Sequence, residues 1–301
     1  MKPMSPQPPL PQVRRIPFEF PDDLSPVWHP TEPEWAAMLN GASLTMPYLE
    51  PFLMRTMREA MEPITEPALK AAANAFIGQE GQHFRAHRRF NDLLKARRYP
   101  GLARIEETMA HAYERLMKRS LRTRLAYTAG FESMTMGLTR WLVEDRVRLF
   151  AGADARVVSF VLWHMVEETE HKCAAYDLYQ ARFGGSLTGY LARMVGVFHG
   201  SLDVMRFSMQ GYREMLKTDG RWWRLRSRVR LTLWLTRFAL NVGPALLRAV
   251  LPGHDPRHER DPEWVRDWLR LYRVDDSRVP MVDTQDPAMP VPFPARLGAP
   301  H

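Results

Sequence analysis

Residues 163–171 read Trp163-His164-Met165-Val166-Glu167-Glu168-Thr169-Glu170-His171 and follow the apolar run Val157-Val158-Ser159-Phe160-Val161-Leu162. An ionised side chain buried without a partner costs several kcal/mol, so acids and imidazoles set in an apolar helix need a compensating charge. On a helix, Glu168 and His171 are i, i+3 neighbours and His164 lies four residues before Glu168, so the three share one face. The same relation occurs upstream. Phe76-Ile77-Gly78-Gln79-Glu80-Gly81-Gln82-His83 places Glu80 and His83 at i, i+3, with His87 four residues beyond His83. Two further acids stand singly in apolar stretches: Glu50 within Thr45-Met46-Pro47-Tyr48-Leu49-Glu50-Pro51-Phe52-Leu53, and Glu132 within Tyr127-Thr128-Ala129-Gly130-Phe131-Glu132-Ser133-Met134.

Along the chain the pattern is Glu, Glu-x-x-His, Glu, Glu-x-x-His, at separations of 30, 52 and 36 residues. One Glu-x-x-His is a weak signal; the combination is specific. It is the ligand order of a ferritin-like dinuclear carboxylate site, in which two helices give one Glu each and two give Glu-x-x-His. Four carboxylates neutralise two divalent cations, and each imidazole adds a nitrogen ligand. The expected metal ligands are therefore Glu50, Glu80, His83, Glu132, Glu168 and His171. Oxygen and imidazole donors suit iron, with manganese or zinc as alternatives. Cys173 is the one cysteine, so a cysteine-rich cluster is excluded.

Glu167 competes with Glu168, because Glu167 and His171 are i, i+4; Glu168 is preferred because it repeats the spacing of Glu80 and His83. For His87 and His164 three roles stay open: further ligands, hydrogen-bond partners behind a ligand, or core histidines. As catalytic residues they would transfer protons. Tyr48, Tyr127 and Tyr176 read as core tyrosines, with a place behind the ligands as the alternative.

Helical spacing of apolar residues extends outward from these motifs. It predicts helices near 45–62, 66–97, 102–118, 121–150, 154–182, 187–217, 222–250 and 262–272, with caps at Thr45, Thr65 and Asp154. No alternating strand pattern competes, so the fold class is an all-α, ferritin-like helical bundle with additional C-terminal helices. The 25 prolines fit this reading because of where they lie: ten within the first 33 residues and six between Pro280 and Pro300. Residues 1–33 and 274–301 are expected as Pro-rich arms, extended on the body or mobile, around a single helical metal-binding domain at 34–273. Pro47 and Pro51 flank Glu50, and a proline lacks the N–H that a helix needs. The helix carrying Glu50 is therefore expected to start near the site or to kink there, and the other three ligand helices are not.

The sequence resembles a bacterial family called predicted metal-dependent hydrolases, a helical group related to ferritin-like di-metal proteins. The segments Gly78-Gln79-Glu80-Gly81-Gln82-His83, Phe131-Glu132 and Glu167-Glu168-Thr169-Glu170-His171 carry the resemblance, together with His254-Asp255-Pro256, over roughly residues 30–273. It implies the same six ligands, with His87 and His164 as extra candidates.

The net charge of +8 is concentrated. Between Gly211 and Leu240 eight Lys or Arg oppose Glu214 and Asp219, around Arg221-Trp222-Trp223-Arg224-Leu225-Arg226-Ser227-Arg228-Val229-Arg230. Arg237, Pro244 and Arg248 argue against a membrane span. A core helix with a basic rim is the first reading, and contact of residues 221–251 with a membrane surface is the second. No nucleic-acid partner is expected, since no recognition motif accompanies the charge. A homo-oligomer is compatible with the sequence.

The N-terminus lacks an export signal, which points to a cytoplasmic location, with the inner membrane as a peripheral site. The expected function is a di-iron enzyme that activates oxygen to oxidise a small apolar substrate. A metal-dependent hydrolase, as the family label states, is the alternative, followed by a metal-binding protein without turnover.

Overall fold

A computed structural model describes residues 10–273 and 280–293; the outermost parts of both expected arms, 1–9 and 294–301, and residues 274–279 lie outside the described residues. The described chain is all-α, with α1 Pro33–Met61, α2 Pro67–Arg97, α3 Leu102–Met117, α4 Leu121–Glu144, α5 Arg146–Phe150, α6 Ala155–His171, α7 Ala174–Phe183, α8 Leu187–Thr218, α9 Leu225–Ala249 and α10 Glu263–Leu271. No strand occurs among the described residues. Helices α1, α2, α4 and α6 enclose the acidic and imidazole side chains, an arrangement compatible with a ferritin-like bundle. α8 packs on α1 and α4, and α9 covers α4.

Local chemistry explains the starts. Asp154 caps α6, accepting from the Arg156 N–H at 2.9 Å, and Ser186 caps α8 through the Gly189 N–H at 3.0 Å. The expected caps at Thr45 and Thr65 are not used. α1 begins at Pro33, twelve residues before the expected start at residue 45, and α2 follows Glu66. Both have proline in the first turn, where its missing N–H would be unpaired in any case.

The Glu50 helix therefore neither starts at the site nor stops there; α1 runs through Pro47 and Pro51. Pro47 cannot donate to the carbonyl of Ser43, and the Asn91 side-chain amide donates to that carbonyl instead, at 2.9 Å. The expectation that the other ligand helices are uninterrupted also needs correction. The helix expected over 154–182 breaks at Lys172 and Cys173, immediately after His171, and the one expected over 121–150 breaks at Asp145.

Glycine lets α4 and α8 approach closely. A Cβ at Gly130 of α4 would meet the backbone of Gly196 in α8 at 2.3 Å, and a Cβ at Gly196 would meet the Ala126 carbonyl oxygen at 2.1 Å. The two backbones touch two residues from Glu132.

The described parts of both arms lie on the body. Ile16, Phe18, Leu24 and Trp28 are buried, and the Phe18 ring sits 5.1 Å from Trp163 and 5.6 Å from Phe160 of α6. From the other end, Val282 N–H donates to Ser159 Oγ at 2.8 Å, and Thr284 donates to the Ala153 carbonyl at 2.7 Å.

Candidate metal centre

Glu50 from α1, Glu80, His83 and His87 from α2, Glu132 from α4, and His164, Glu168 and His171 from α6 converge in the interior, and all are buried. Donor atoms of Glu80, Glu132, Glu168 and His171 lie within 4.8 Å of one another, as do those of Glu50, Glu80 and His83. Two further groups on the same criterion are His83, His164 and Glu168, and Glu50, His87 and His164. Glu80 and Glu168 are the two members of the group with Glu132 and His171 that also belong to another group, so they link it to the rest.

Both carboxylate oxygens of Glu50, Glu80 and Glu132, and Nδ1 of His83, are buried with no hydrogen-bond partner. Leaving such groups unpartnered costs about 1–3 kcal/mol each, and more if charged. Burial, reinforced by Glu80 and Glu168, pushes the Glu50 carboxyl well above the usual range. Burial with Glu168 and Glu80 does the same to Glu132, and burial with Glu168 raises Glu80 to about 8. For Glu168 burial also acts upward, but His171 and His164 hold it well below the ordinary carboxylate range. Hard oxygen donors, imidazole nitrogens and four acids without Lys or Arg among them fit divalent metal.

The imidazoles are oriented from behind. Gln79 donates its amide to Glu170 Oε2 at 2.8 Å and to the Gln12 carbonyl at 3.0 Å, so its oxygen faces His171 Nδ1, 3.0 Å away. His171 Nδ1 must then carry the proton, and Nε2 is turned to the carboxylates of Glu168 at 3.1 Å, Glu132 at 3.5 Å and Glu80 at 3.6 Å. His83 donates from Nε2 to Glu167 Oε2 at 2.9 Å, leaving its unpartnered Nδ1 toward Glu80 and Glu168.

A third chain fixes His164. Asn91 donates to the Ser43 carbonyl, so its oxygen accepts from the Ser43 hydroxyl at 2.8 Å. Ser43 Oγ in turn accepts from His87 Nδ1 at 2.8 Å, and His87 Nε2 faces His164 Nδ1 at 2.8 Å. Burial and the neighbouring His164 hold His87 well below the usual imidazole range, and burial with His83 lowers His164. His164 then donates from Nδ1, and its Nε2 is hydrogen-bonded to Glu168 Oε1, 2.8 Å away, so in the metal-free chain a proton lies between these two groups.

Glu167 does not share the position of Glu168. Its two oxygens are taken by His83 Nε2 and by Arg14, which also pairs with Glu170. Arg14 is buried, and its guanidinium lies over Trp268 and Tyr272 of the C-terminal region at 5.3 and 5.2 Å. Sequence reasoning missed Arg14, Gln79, Glu170, Ser43 and Asn91, whose side chains carry no spacing signal. Tyr127 is a core residue bonded to Tyr113 at 3.2 Å, Tyr176 bonds the His254 carbonyl, and Tyr48 is half-buried beside Arg88.

Two cavities reach the cluster. One of about 80 Å³ touches His87 and His164 and is otherwise walled mainly by apolar side chains such as Met46, Phe131, Phe160 and Met165. The other, about 10 Å³, holds roughly one water and touches Glu132, Lys172, His254 and Glu259; the last two also line a polar surface cleft.

The sequence model of one protein family, described as predicted metal-dependent hydrolase, matches residues 12–260. The match takes in the Arg14 segment and ends before α10. No curated protein and no solved structure matches the chain.

Proposed function

The chain belongs to the family of predicted metal-dependent hydrolases, and on that footing we propose that it is an enzyme holding two divalent cations between α1, α2, α4 and α6. The observation that carries this reading is the set of seven buried, unpartnered donor atoms on Glu50, Glu80, His83 and Glu132. Glu50 and His83 would serve one ion and Glu132 and His171 the other, with Glu80 and Glu168 shared between them. His164 joins the first group through Nε2.

Divalent ions held in such a site lower the pKa of water and polarise a carbonyl oxygen, the chemistry of a hydrolase. The chain's residues complete it. Gln79 keeps the His171 proton on Nδ1, Glu167 keeps the His83 proton on Nε2, and His87 keeps the His164 proton on Nδ1. The small cavity beside Glu132, with Lys172 and His254 in its wall, has room for about one water. The apolar cavity admits the non-polar part of a substrate to the opposite edge, at His164.

A second reading, oxygen-dependent oxidation of an apolar substrate at a di-iron centre, is favoured by that same cavity, whose walls offer little to orient a polar leaving group. Metal analysis combined with two assays separates the readings. Protein loaded with zinc or manganese should cleave acyl esters without consuming oxygen. If instead only the iron form is active and each turnover consumes dioxygen, hydrolysis is overturned. A metal-free preparation from metal-supplemented expression would sink both.

A further inference from the structure

α9 is apolar on two opposite sides. Ser227, Leu231, Trp234, Val242, Ala245 and Ala249 face the bundle and are buried. Leu225, Val229, Leu233, Leu240 and Leu247 recur at four- and seven-residue spacings, which keep them on one line of the helix, and all are exposed. That line points away from the body. α8 repeats the arrangement with Leu187, Leu191, Val195, Phe198 and Leu202 exposed, opposite the buried Gly196, Gly200 and Val204. Soluble proteins seldom leave apolar stripes of this extent uncovered.

The charges around α9 identify what covers it. From Arg221 to His254 the chain has seven arginines and no acid. Arg230 and Arg248 are neutralised by Glu34, Glu32 and Glu259, and Arg221 lies near Glu34. Arg224, Arg226 and Arg228 are exposed, and among the described residues they form no ion pair with a carboxylate. The Trp223 side chain beside them is 82% exposed. Exposed leucines flanked by unneutralised arginines, with a tryptophan at the end, are complementary to the interface of an anionic bilayer.

Beneath this face lies a second apolar cavity of about 80 Å³, between α1, α4, α8 and α9. Trp234, Leu235 and Phe238 of α9 form its outer wall. It shares Leu39, Ala42, Met134, Leu138 and Val204 with the cavity that touches His87 and His164. The common wall is made of small or flexible side chains, and methionine in particular adjusts its shape readily. The two cavities thus line up from the exposed helix to the edge of the metal centre.

We propose that the outward face of α8 and α9 rests on an anionic lipid bilayer, and that the paired cavities lead an aliphatic, lipid-derived molecule from it to His164. The end point of this path rests on the reading of the centre given above; the docking and the path do not. The substrate class that follows is a molecule with a hydrocarbon portion, since neither cavity has a charged side chain in its wall.

Both parts are tested on metal-free protein, so that failure to load metal would sink the proposed function alone. In flotation, the protein should partition onto phosphatidylcholine vesicles containing phosphatidylglycerol and not onto phosphatidylcholine alone. Arg226→Gln and Arg228→Gln should each weaken binding about fivefold, and Leu233→Gln with Leu240→Gln, at exposed positions, should abolish it. Dibromostearic acid should quench tryptophan fluorescence, because Trp35, Trp141 and Trp234 line the outer cavity, whereas stearic acid should not. Ala42→Phe should reduce that binding and leave flotation unchanged. Equal partition onto both vesicles, a stable dimer dissociated by the leucine substitutions, or equal effects of the two fatty acids would overturn the proposal.

Discussion

His83 Nε2 lies 2.9 Å from Glu167 Oε2, and this bond separates two adjacent glutamates into different jobs. Glu168 faces the centre; Glu167 holds an imidazole that does. Glu168→Gln should therefore abolish metal retention. Glu167→Gln should weaken it about 10–100-fold, the usual effect of losing the carboxylate behind a metal-binding histidine. Competition against a chromophoric chelator measures both. Equal losses in the two variants would contradict the assignment.

The raised acids give the metal-free protein a defined pH response. Glu50, Glu80 and Glu132 are held above the ordinary carboxylate value in the folded state, Glu80 to about 8. Their contribution to stability is complete below the unfolded value and is lost as pH rises through the folded one. His171, also raised, acts in the same direction, whereas the lowered His87 and His164 work against folding only below the ordinary histidine value. Between about pH 6.5 and 8 the melting temperature should fall without metal. Metal must displace the carboxyl protons, so it should stabilise more at the upper end and release protons on binding. Calorimetry in buffers of differing ionisation enthalpy counts them.

Arg14 supplies the positive charge for two acids at the back of the site. Arg14→Ala leaves Glu167 buried without its cation, a change worth about 3–5 kcal/mol, and removes the stacking over Trp268 and Tyr272. Denaturant unfolding should register that loss, and metal affinity should fall with it because Glu167 no longer holds His83 firmly. An unchanged affinity would show that the arm is structural only.

The α4–α8 contact leaves no room for a methyl group. Gly130→Ala and Gly196→Ala would each drive a Cβ into backbone rather than into a movable side chain. Each should cost about 3 kcal/mol or more, read as a lowered unfolding midpoint. Because Gly130 is two residues from Glu132, it should also reduce metal uptake more than Gly196→Ala.

The gathering of the eight acids and histidines could be read from sequence because side chains at i, i+3 and i+4 share a helix face whatever the tertiary context. The choice between Glu167 and Glu168 was harder to read. Apart from Val161, α6 is buried on all sides from Val157 to Thr169, so no polar face marks which way each side chain turns. The start of α1 was hidden for a different reason. Pro47 suggests a boundary, and only Asn91, 44 residues further along in sequence, provides the donor that lets the helix pass through it. Arg14 lies among prolines and reads as part of an arm; its partners are 153 and 156 residues away. The roles of His87 and His164 depended on the hydroxyl of Ser43, a residue with no pattern of its own.

Arg14 also bears on when the centre can be completed. It joins Glu167 and Glu170 to Trp268 and Tyr272, so groups from near the first residue, the middle and the last helix must all be present before His83 is held from behind. During synthesis, the four ligand helices emerge well before residue 272. Until then the donor atoms are assembled without their outer support. The support behind His83 is thereby complete only once the chain has been made as far as Tyr272, and the N-terminal arm acts as the closing piece of a cluster whose inward-facing acids and imidazoles Arg14 never touches.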